Sequence, residues 1–568
     1  MILQALYEYY QRKSADQKNH IAPMGWEWKE IPFLVVIDKE GNFVTLEDTR
    51  EGEGRKRRAK EFLVPMSEKK TSGIRSNLLW DNVEYVLGAN PRNRDDITKR
   101  HDAFLERIGS ELFQIKDSPP ISCVLRFLGK SPLTQIEKQF LCSASWKEAL
   151  ESNAFVTFKM EGSEDSTIFD SLRDKIIIKT ESCLRDVCLV SGEKKYIARL
   201  HPAIKGVRGT NTTGGSLVSF NLDAFNSYGK TQNFNAPIGE ETAFAYTTAL
   251  NVLLGKDSLN KSLVGDTSLV FWAQNSSEGA YDIEENFAWY VFDPPKDDPD
   301  RGVRAVKGLY EAMKSGHIPV FDENRFYVLG LSPNAARIAI RFWRSGTVRE
   351  FGERILKHFD DISIDKGPKD SEYLTVNQML RATAFEYKME NVPPNMCGAV
   401  MTSILDGTTY PNSLHQQCLR RTRAERKITY ARAAILKGCL NRKNYIKGGL
   451  QMSLDRNNSN SGYLLGRLFA ILEKIQETAN PNINTTIRDR FYGAASSSPV
   501  AVFSQLLKLK NHHLAKIENR GLKVFYEKEI GEVMNGIYKF PANLSIDDQA
   551  CFAIGYYHQR QDFFSKKS

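Results

Sequence analysis

The chain has 568 residues, 41% hydrophobic and 26% charged, with a formal net charge of +9 at pH 7. That is length enough for two to four domains, each with its own core, in a composition ordinary for a soluble globular protein. No apolar run reaches bilayer length, and the opening MILQALYEYYQRK lacks a basic leader region and a cleavage site, which argues against a membrane or secretory protein. The eight cysteines, at 123, 142, 183, 188, 397, 418, 439 and 551, are scattered. Cys183 and Cys188 lie close, with His201 downstream, but no second cluster completes a zinc site. The expectation is a cytoplasmic, reduced protein without a cofactor.

In chain order, Ile2, Leu3, Leu6, Tyr9 and Tyr10 have the spacing of a short amphipathic helix. PFLVVIDKEGNFVTLED then reads as a β-hairpin turning at residues 39–42. GEGRKRRAKEF follows, with five Lys/Arg between Arg55 and Lys60, and reads as a solvated loop. In KKTSGIRSNLLWDNVEYVLG, Ser72-Gly73 makes a turn, Arg75, Ser76 and Asn77 are exposed polar candidates, and Trp80 anchors the segment. Residues 93–109 form a charged helix containing His101-Asp102, a dipeptide seen in metal-dependent phosphohydrolases, but the nine histidines are mostly solitary. Residues 116–120, KDSPP, mark a domain boundary. Beyond it short helices alternate with strands such as AFVTFKM and KIIIKT.

Residues 196–254 carry the densest mixture of glycine, side-chain amides and spaced cations. Gly206, Gly209, Gly214 and Gly215 allow close backbone approach. Asn211, Gln232, Asn233 and Asn235 offer the paired donors and acceptors that match a base edge, and Lys205, Arg208 and Lys230 suit phosphate oxygens. From Phe244 to Leu253 the apolar spacing becomes helical. The stretch reads equally as a recognition loop and as a structural loop ordered by its own amide hydrogen bonds. Gly229-Lys230-Thr231 resembles the end of a phosphate-binding P-loop, but the first glycine of that motif would fall at Ala224, so no nucleotide is implied.

TSLVFWA reads as a buried strand, DPPKDDPDRG as a loop or linker, and FYVLGLSPNAARIAIRFW as a strand leading into an amphipathic strand or helix with Arg337, Arg341 and Arg344 outward. From about residue 406 the pattern is helical. Between Leu414 and Gln451 ten Lys/Arg stand against Glu425 alone, a concentration that favours a polyanionic partner. Ile428, Ala431, Ile435 and Leu436 predict a helix packed on an apolar stripe with its cations outward. Met452 follows the Gly448-Gly449 break. YLLGRLFAILEKIQ and further helices over 486–493, 499–517, 519–538 and from Asp547, with Ser545 as N-cap, predict a helical bundle.

MILQALYEYY, IKGVRGTNTTGGSLVSFN, SYGKTQNFNAP, VFWA, FYVLGLSPNAARIAIRFW, YLLGRLFAILEKIQ and TTIRDRFYGAASSSPVAVFSQLLKL stand in this order along the chain. In these motifs the sequence resembles the large subunit of the type I-C CRISPR Cascade complex. The resemblance implies a non-enzymatic subunit that recognises a PAM in double-stranded target DNA. It further implies that the subunit promotes strand separation and R-loop formation and helps recruit a helicase–nuclease in antiviral defence. Implied partners are crRNA, target DNA, the Cascade backbone subunits, the crRNA-end-binding subunit, the helicase–nuclease, and a small subunit matching the C-terminal bundle and translated from an internal start, for which Met452 is the candidate.

On this basis Ser72, Arg75, Asn77, Lys205, Arg208, Asn211, Thr212, Lys230, Gln232, Asn233 and Asn235 are the expected PAM-reading and wedge residues. Arg420, Arg421, Arg423, Arg426 and Lys427 are the expected contacts to the displaced strand. The expected fold is α+β and multi-domain, a mixed α/β N-terminal body (1–118 and 119–405) with a C-terminal α-helical bundle (406–568, with 452–568 as the separable part). A free-standing nucleic-acid-binding regulator using the 414–447 tract, and a metal-dependent nuclease seeded at His101-Asp102, are the alternatives.

Overall fold

The computed structural model describes residues 1–15, 21–52, 57–68, 73–140, 143–176, 184–275, 304, 307, 308, 311 and 324–564. The fold is mixed α+β, 49% helix and 15% strand, with a helical C-terminal region. The chain forms two compact units, one of Tyr10–Pro202 with Phe220–Ala249, the other of Met1–Tyr9 with Ala203–Ser219 and Leu250–Ser568.

Helix α1 (Ile2–Ala15) opens the chain as its spacing predicts. In the first unit β1 (Trp26–Glu30) pairs with β4 (Glu61–Pro65), and β2 (Phe33–Ile37), β3 (Phe43–Asp48), β5 (Trp80–Asn82) and β6 (Phe155–Met160) form a sheet of order β3-β2-β6-β5. The β2–β3 pair is the expected hairpin, while β2 and β6 run parallel. All five residues of β2, FLVVI, are buried, as befits a central strand with both faces covered. The covering helices are α2 (Val83–Leu87), α3 (Ile97–Glu111), α4 (Pro119–Gly129), α5 (Pro132–Phe140), α6 (Ala144–Glu151) and α7 (Ile168–Leu172). Phe33, Trp80, Phe104, Phe127, Trp146 and Phe158 meet in one core. That core draws on residues either side of 116–120, so the expected boundary there is no gap in packing. Instead Pro119 starts α4, where its missing N–H costs nothing. A small hairpin of β7 (Arg185–Val187) and β8 (Lys194–Tyr196) follows. The strand expected at KIIIKT lies mostly outside the described residues.

Helix α8 (Glu240–Leu253) bears out the helical spacing of the central stretch. In the second unit β9 (Lys261–Val264), β10 (Thr267–Ala273), β11 (Arg325–Asn334) and β12 (Arg337–Thr347) form an antiparallel sheet of order β12-β11-β10-β9. TSLVFWA is buried throughout. FYVLGLSPNAARIAIRFW resolves to two strands joined at Ala335-Ala336, with Ile338 and Phe342 buried and Arg341 paired outward with Asp266 at 3.3 Å. DPPKDDPDRG lies outside the described residues. Helices α9 (Val348–Ile362), α10 (Val376–Ala382), α11 (Pro394–Asp406), α12 (Asn412–Glu425) and α13 (Tyr430–Arg442) share one core with this sheet.

The bundle consists of α14 (Ser461–Ala479), α15 (Ile487–Ser497), α16 (Phe503–Lys516), α17 (Arg520–Asn535) and α18 (Ile546–Phe564). Leu464, Leu465, Leu468, Phe469, Leu472 and Ile475 fill its core, and Ser545 Oγ accepts the Asp548 N–H at 3.1 Å as the expected cap. The backbones of α14 and α18 touch. A Cβ on Gly466 would collide with the Phe552 carbonyl, and one on Gly555 with the Tyr463 carbonyl, so only glycine permits this approach. Tyr463, Ala550, Ile554 and Tyr557 join the core of the preceding helices rather than that of the bundle.

Candidate nucleic-acid interface

Residues 204–215 close on themselves. Ile204 and Gly215 exchange both backbone hydrogen bonds, at 2.9 and 2.8 Å, which makes the segment between them an Ω-type loop. Its base is pinned to the β11–β12 hairpin, where Ser216 N–H donates to the Ala336 carbonyl and Ile338 N–H to the Ser216 carbonyl. Asn251 of α8 braces its entry, accepting the Lys205 N–H at 2.7 Å and donating to the Ala203 carbonyl at 3.2 Å. The Arg208 N–H reaches Ser268 Oγ at 3.0 Å. Gly206 and Gly214 adopt φ of 85° and 92°, and a Cβ would stand 2.6 Å from the Leu254 carbonyl oxygen or 2.7 Å from that of Ile204. The glycines therefore serve close internal packing. What this frame presents is Lys205, Arg208, Asn211 and Thr212, all exposed.

The second half of the central stretch belongs to the other unit and behaves differently. Asn233 is 1% exposed. Gln232 Oε1 accepts from Arg199 Nη1 at 2.9 Å, and Lys230 Nζ stands 3.7 Å from Asp186. Asn235 uses its amide internally, accepting the Ser227 N–H and donating to the Lys230 and Gln232 carbonyls. Here the reading as a structural loop fits, because the Asn235 amide makes the loop's own hydrogen bonds, Gln232 is held by Arg199 and Asn233 is buried. The polar side chains of the first half are exposed, while those of the second half are largely engaged within the protein.

The exposure expected at Ser76 and Asn77 is not found. Both are buried, Asn77 at 2%, where its Oδ1 accepts the Glu68 N–H and its N–H donates to Asp81. The buried Trp80 beside them draws the turn inward, and Arg107 donates to the Ser76 carbonyl. Arg75 is exposed and 3.5 Å from Glu68. Ser72, with Arg55 and Lys56 of the first basic tract, lies outside the described residues.

The 414–447 tract corrects a second expectation. It folds as two helices, α12 and α13, and its cations do not all face outward. Arg432 is fully buried, bonded to Glu425 at 2.6 Å and to the Ala382 and Lys427 carbonyls at 3.0 Å. Lys437 is buried against the Asp360 and Asp361 carbonyls, and burial pushes its pKa down to about 8. Arg442 is bonded to Asp361 at 2.8 Å and stacks on Tyr410. Arg421 pairs with Glu425, and Lys443 with Asp547. Burial opposes ionisation of Glu425, but hydrogen bonds from Arg421 and Arg432 prevail and hold its carboxyl below the usual value. Part of the local charge excess is thus answered within the fold, by Glu425 of the tract itself and by Asp361 and Asp547 from elsewhere in the chain.

Arg420, Arg423, Arg426 and Lys427 do remain exposed. Gln416, Arg420 and Arg423 line one groove with Gly493, Ile546 and Gln549, where Arg423 meets Gln549 Oε1 at 3.4 Å. Gln416 and Gln549 went unnoticed in the sequence, although the spacing of 416, 420 and 423 places three polar side chains on one helical face.

His101 Nδ1 is hydrogen-bonded to the Tyr85 carbonyl at 2.9 Å, and His201 Nδ1 to Tyr246 Oη at 2.6 Å. Cys188 is buried beside Thr242, and Cys183 lies outside the described residues. Among the described residues no three His, Cys, Asp or Glu gather as a metal site would require. No helix among them is long and apolar enough to cross a membrane.

The sequence defines a CRISPR-associated protein, for a family match extends over residues 6–564. The family is the one described as CRISPR-associated protein (Cas_Csd1), and the chain belongs to it. That membership supports a Cascade subunit, which assembles with other CRISPR-associated subunits and crRNA. A search of curated proteins found no match.

Proposed function

We propose that the chain is the non-catalytic large subunit of a type I-C Cascade complex, reading the PAM in duplex target DNA and promoting strand separation. The observation that carries this reading is the braced loop at residues 204–215. It offers two cations and an amide from a frame whose own hydrogen bonds are already satisfied, an arrangement suited to holding phosphates while testing a base edge. Guide pairing reads most of the target in such systems, so a short protein loop suffices. The exposed face of α12 with Arg420 and Arg423, and Arg426 and Lys427 just after it, are proposed to guide the displaced strand by charge. Recruitment of a helicase–nuclease, and use of Met452 as an internal start for a small subunit, complete the proposal on the strength of the family resemblance.

Duplex binding by the reconstituted complex tests the loop. Asn211→Ala is expected to cost about 1–3 kcal/mol on the preferred PAM and to relax PAM choice. Arg208→Ala should weaken all targets alike and flatten the salt slope by about one unit. Equal behaviour of the two variants would refute the division between base reader and phosphate contact.

A further inference from the structure

We propose that Tyr228 is an aromatic finger that stacks on a base at the end of opened duplex DNA; the inference rests on the reading of the chain as a target-DNA-binding subunit. Residues 221–231 are all exposed, and at residues 227–230 the chain reverses in a two-residue turn. Tyr228 and Gly229 have φ of 49° and 69°, and the Lys230 N–H donates to the Ser227 carbonyl at 2.9 Å. Two positive φ values in succession mark a turn whose first central position is normally Asn, Asp or Gly. A bulky aromatic held there is an outlier that persists where its surroundings impose it.

Asn235 imposes it. Its Oδ1 accepts the Ser227 N–H at 3.0 Å, and its Nδ2 donates to the Lys230 carbonyl at 3.1 Å and the Gln232 carbonyl at 2.9 Å. The turn is thus clamped from inside the loop while the Tyr228 side chain is 99% exposed. A Cβ on Gly229 would meet nothing within 4 Å, so the space beside Gly229 is open too. Lys230 stands beside it, partly exposed and 3.7 Å from Asp186, and Asn226 Nδ2 engages the Asp223 carboxylate at 3.4 Å. The immediate flanks, Asn226, Ser227, Gly229, Lys230 and Thr231, carry no apolar side chain, while Phe225 and Leu222 stand exposed three and six residues before the tip. The flanks lack the continuous apolar rim of a protein-docking patch. An open ring on a stiff turn with a cation next to it is the combination that holds an unstacked base, the ring covering the base and the cation its phosphate. Because every base has a π-face, such a finger tolerates any sequence.

The test uses the reconstituted crRNA complex carrying the full chain as wild type, Tyr228→Ala or Tyr228→Phe, with 2-aminopurine in the first target base pairs beside the PAM. Tyr228→Ala is expected to lower the opened fraction about fivefold or more, with Tyr228→Phe at the wild-type level. Opening by Tyr228→Ala equal to wild type would overturn the finger and leave DNA binding by the chain intact. A complex whose target binding is the same with and without the wild-type chain would instead overturn the reading beneath it. Failure of Tyr228→Ala to join the crRNA complex would assign the ring to a protein contact and likewise overturn the proposal.

Discussion

Arg432 and Arg423 belong to one basic tract and sit in opposite electrostatic settings. Arg432 is out of water, held by Glu425, two carbonyls and the face of Tyr387. Arg432→Ala strands those partners and is expected to cost about 3 kcal/mol, read as a lower denaturation midpoint. Arg423→Ala removes an exposed charge, so its midpoint should stay within about 0.5 kcal/mol of wild type. Similar losses in both variants would contradict the assignment. Three histidines give a second prediction at this scale. Burial pushes His358 and His558 down to about 3 and His415 to about 4, with Arg442, Lys437 and Lys443 adding to the effect. Asp547, 3.5 Å from His415, acts the other way. The unfolded chain binds these protons near pH 6.5, while the fold excludes them until well below that. The contribution is therefore complete above about pH 6.5 and is lost as the pH falls towards about 4 for His415 and about 3 for His358 and His558. Stability to urea should drop by up to about 1.4 kcal/mol per pH unit for each histidine, and a flat profile over that window would contradict their burial as neutral groups.

Among the elements, the α14–α18 pair decides how separable the C-terminal bundle is. The bundle has its own core, yet one face of α18 completes the neighbouring core through Ala550, Ile554 and Tyr557. Met452 lies in the irregular segment before α14. It is 55% exposed, and its carbonyl accepts the Asp365 N–H at 2.9 Å. If it starts a separate small subunit, Met452→Leu in the expressed gene removes a C-terminal fragment from immunoblots while the full-length chain persists. An unchanged fragment, or none in wild type, would contradict its use.

The elements themselves were legible where period and caps agreed. The hairpin at 33–48, the strand TSLVFWA and the heptad run of α14 follow from side-chain spacing alone. What sequence did not reveal is which polar groups face inward. Asn77, Asn233 and Arg432 look like surface residues, but all three are buried, and the side-chain partners of Asn77 and Arg432, the Glu68 N–H and Glu425, are chosen by the fold. Burial of a polar side chain depends on such partners, which spacing does not encode. The exposed half of the central stretch was legible because its cations and Asn211 lie between glycines that the loop frame needs.

For the molecule as a whole, the chain crosses between its two units several times, so neither is a simple N- or C-terminal domain. The net charge of +9 is likewise no guide to a single basic face, since Arg421, Arg432, Arg442 and Lys443 of the densest tract are paired with carboxylates. The surfaces proposed for a polyanion are the 204–215 loop, the Tyr228 tip and the outer face of α12 with the residues that follow it. The most direct test of the account is target-duplex binding by the crRNA complex, assembled with and without this chain, on targets differing only in PAM. The account predicts PAM-dependent binding when the chain is present and its loss when the chain is absent. Equal PAM discrimination without the chain would contradict it, leaving the loop as scaffold.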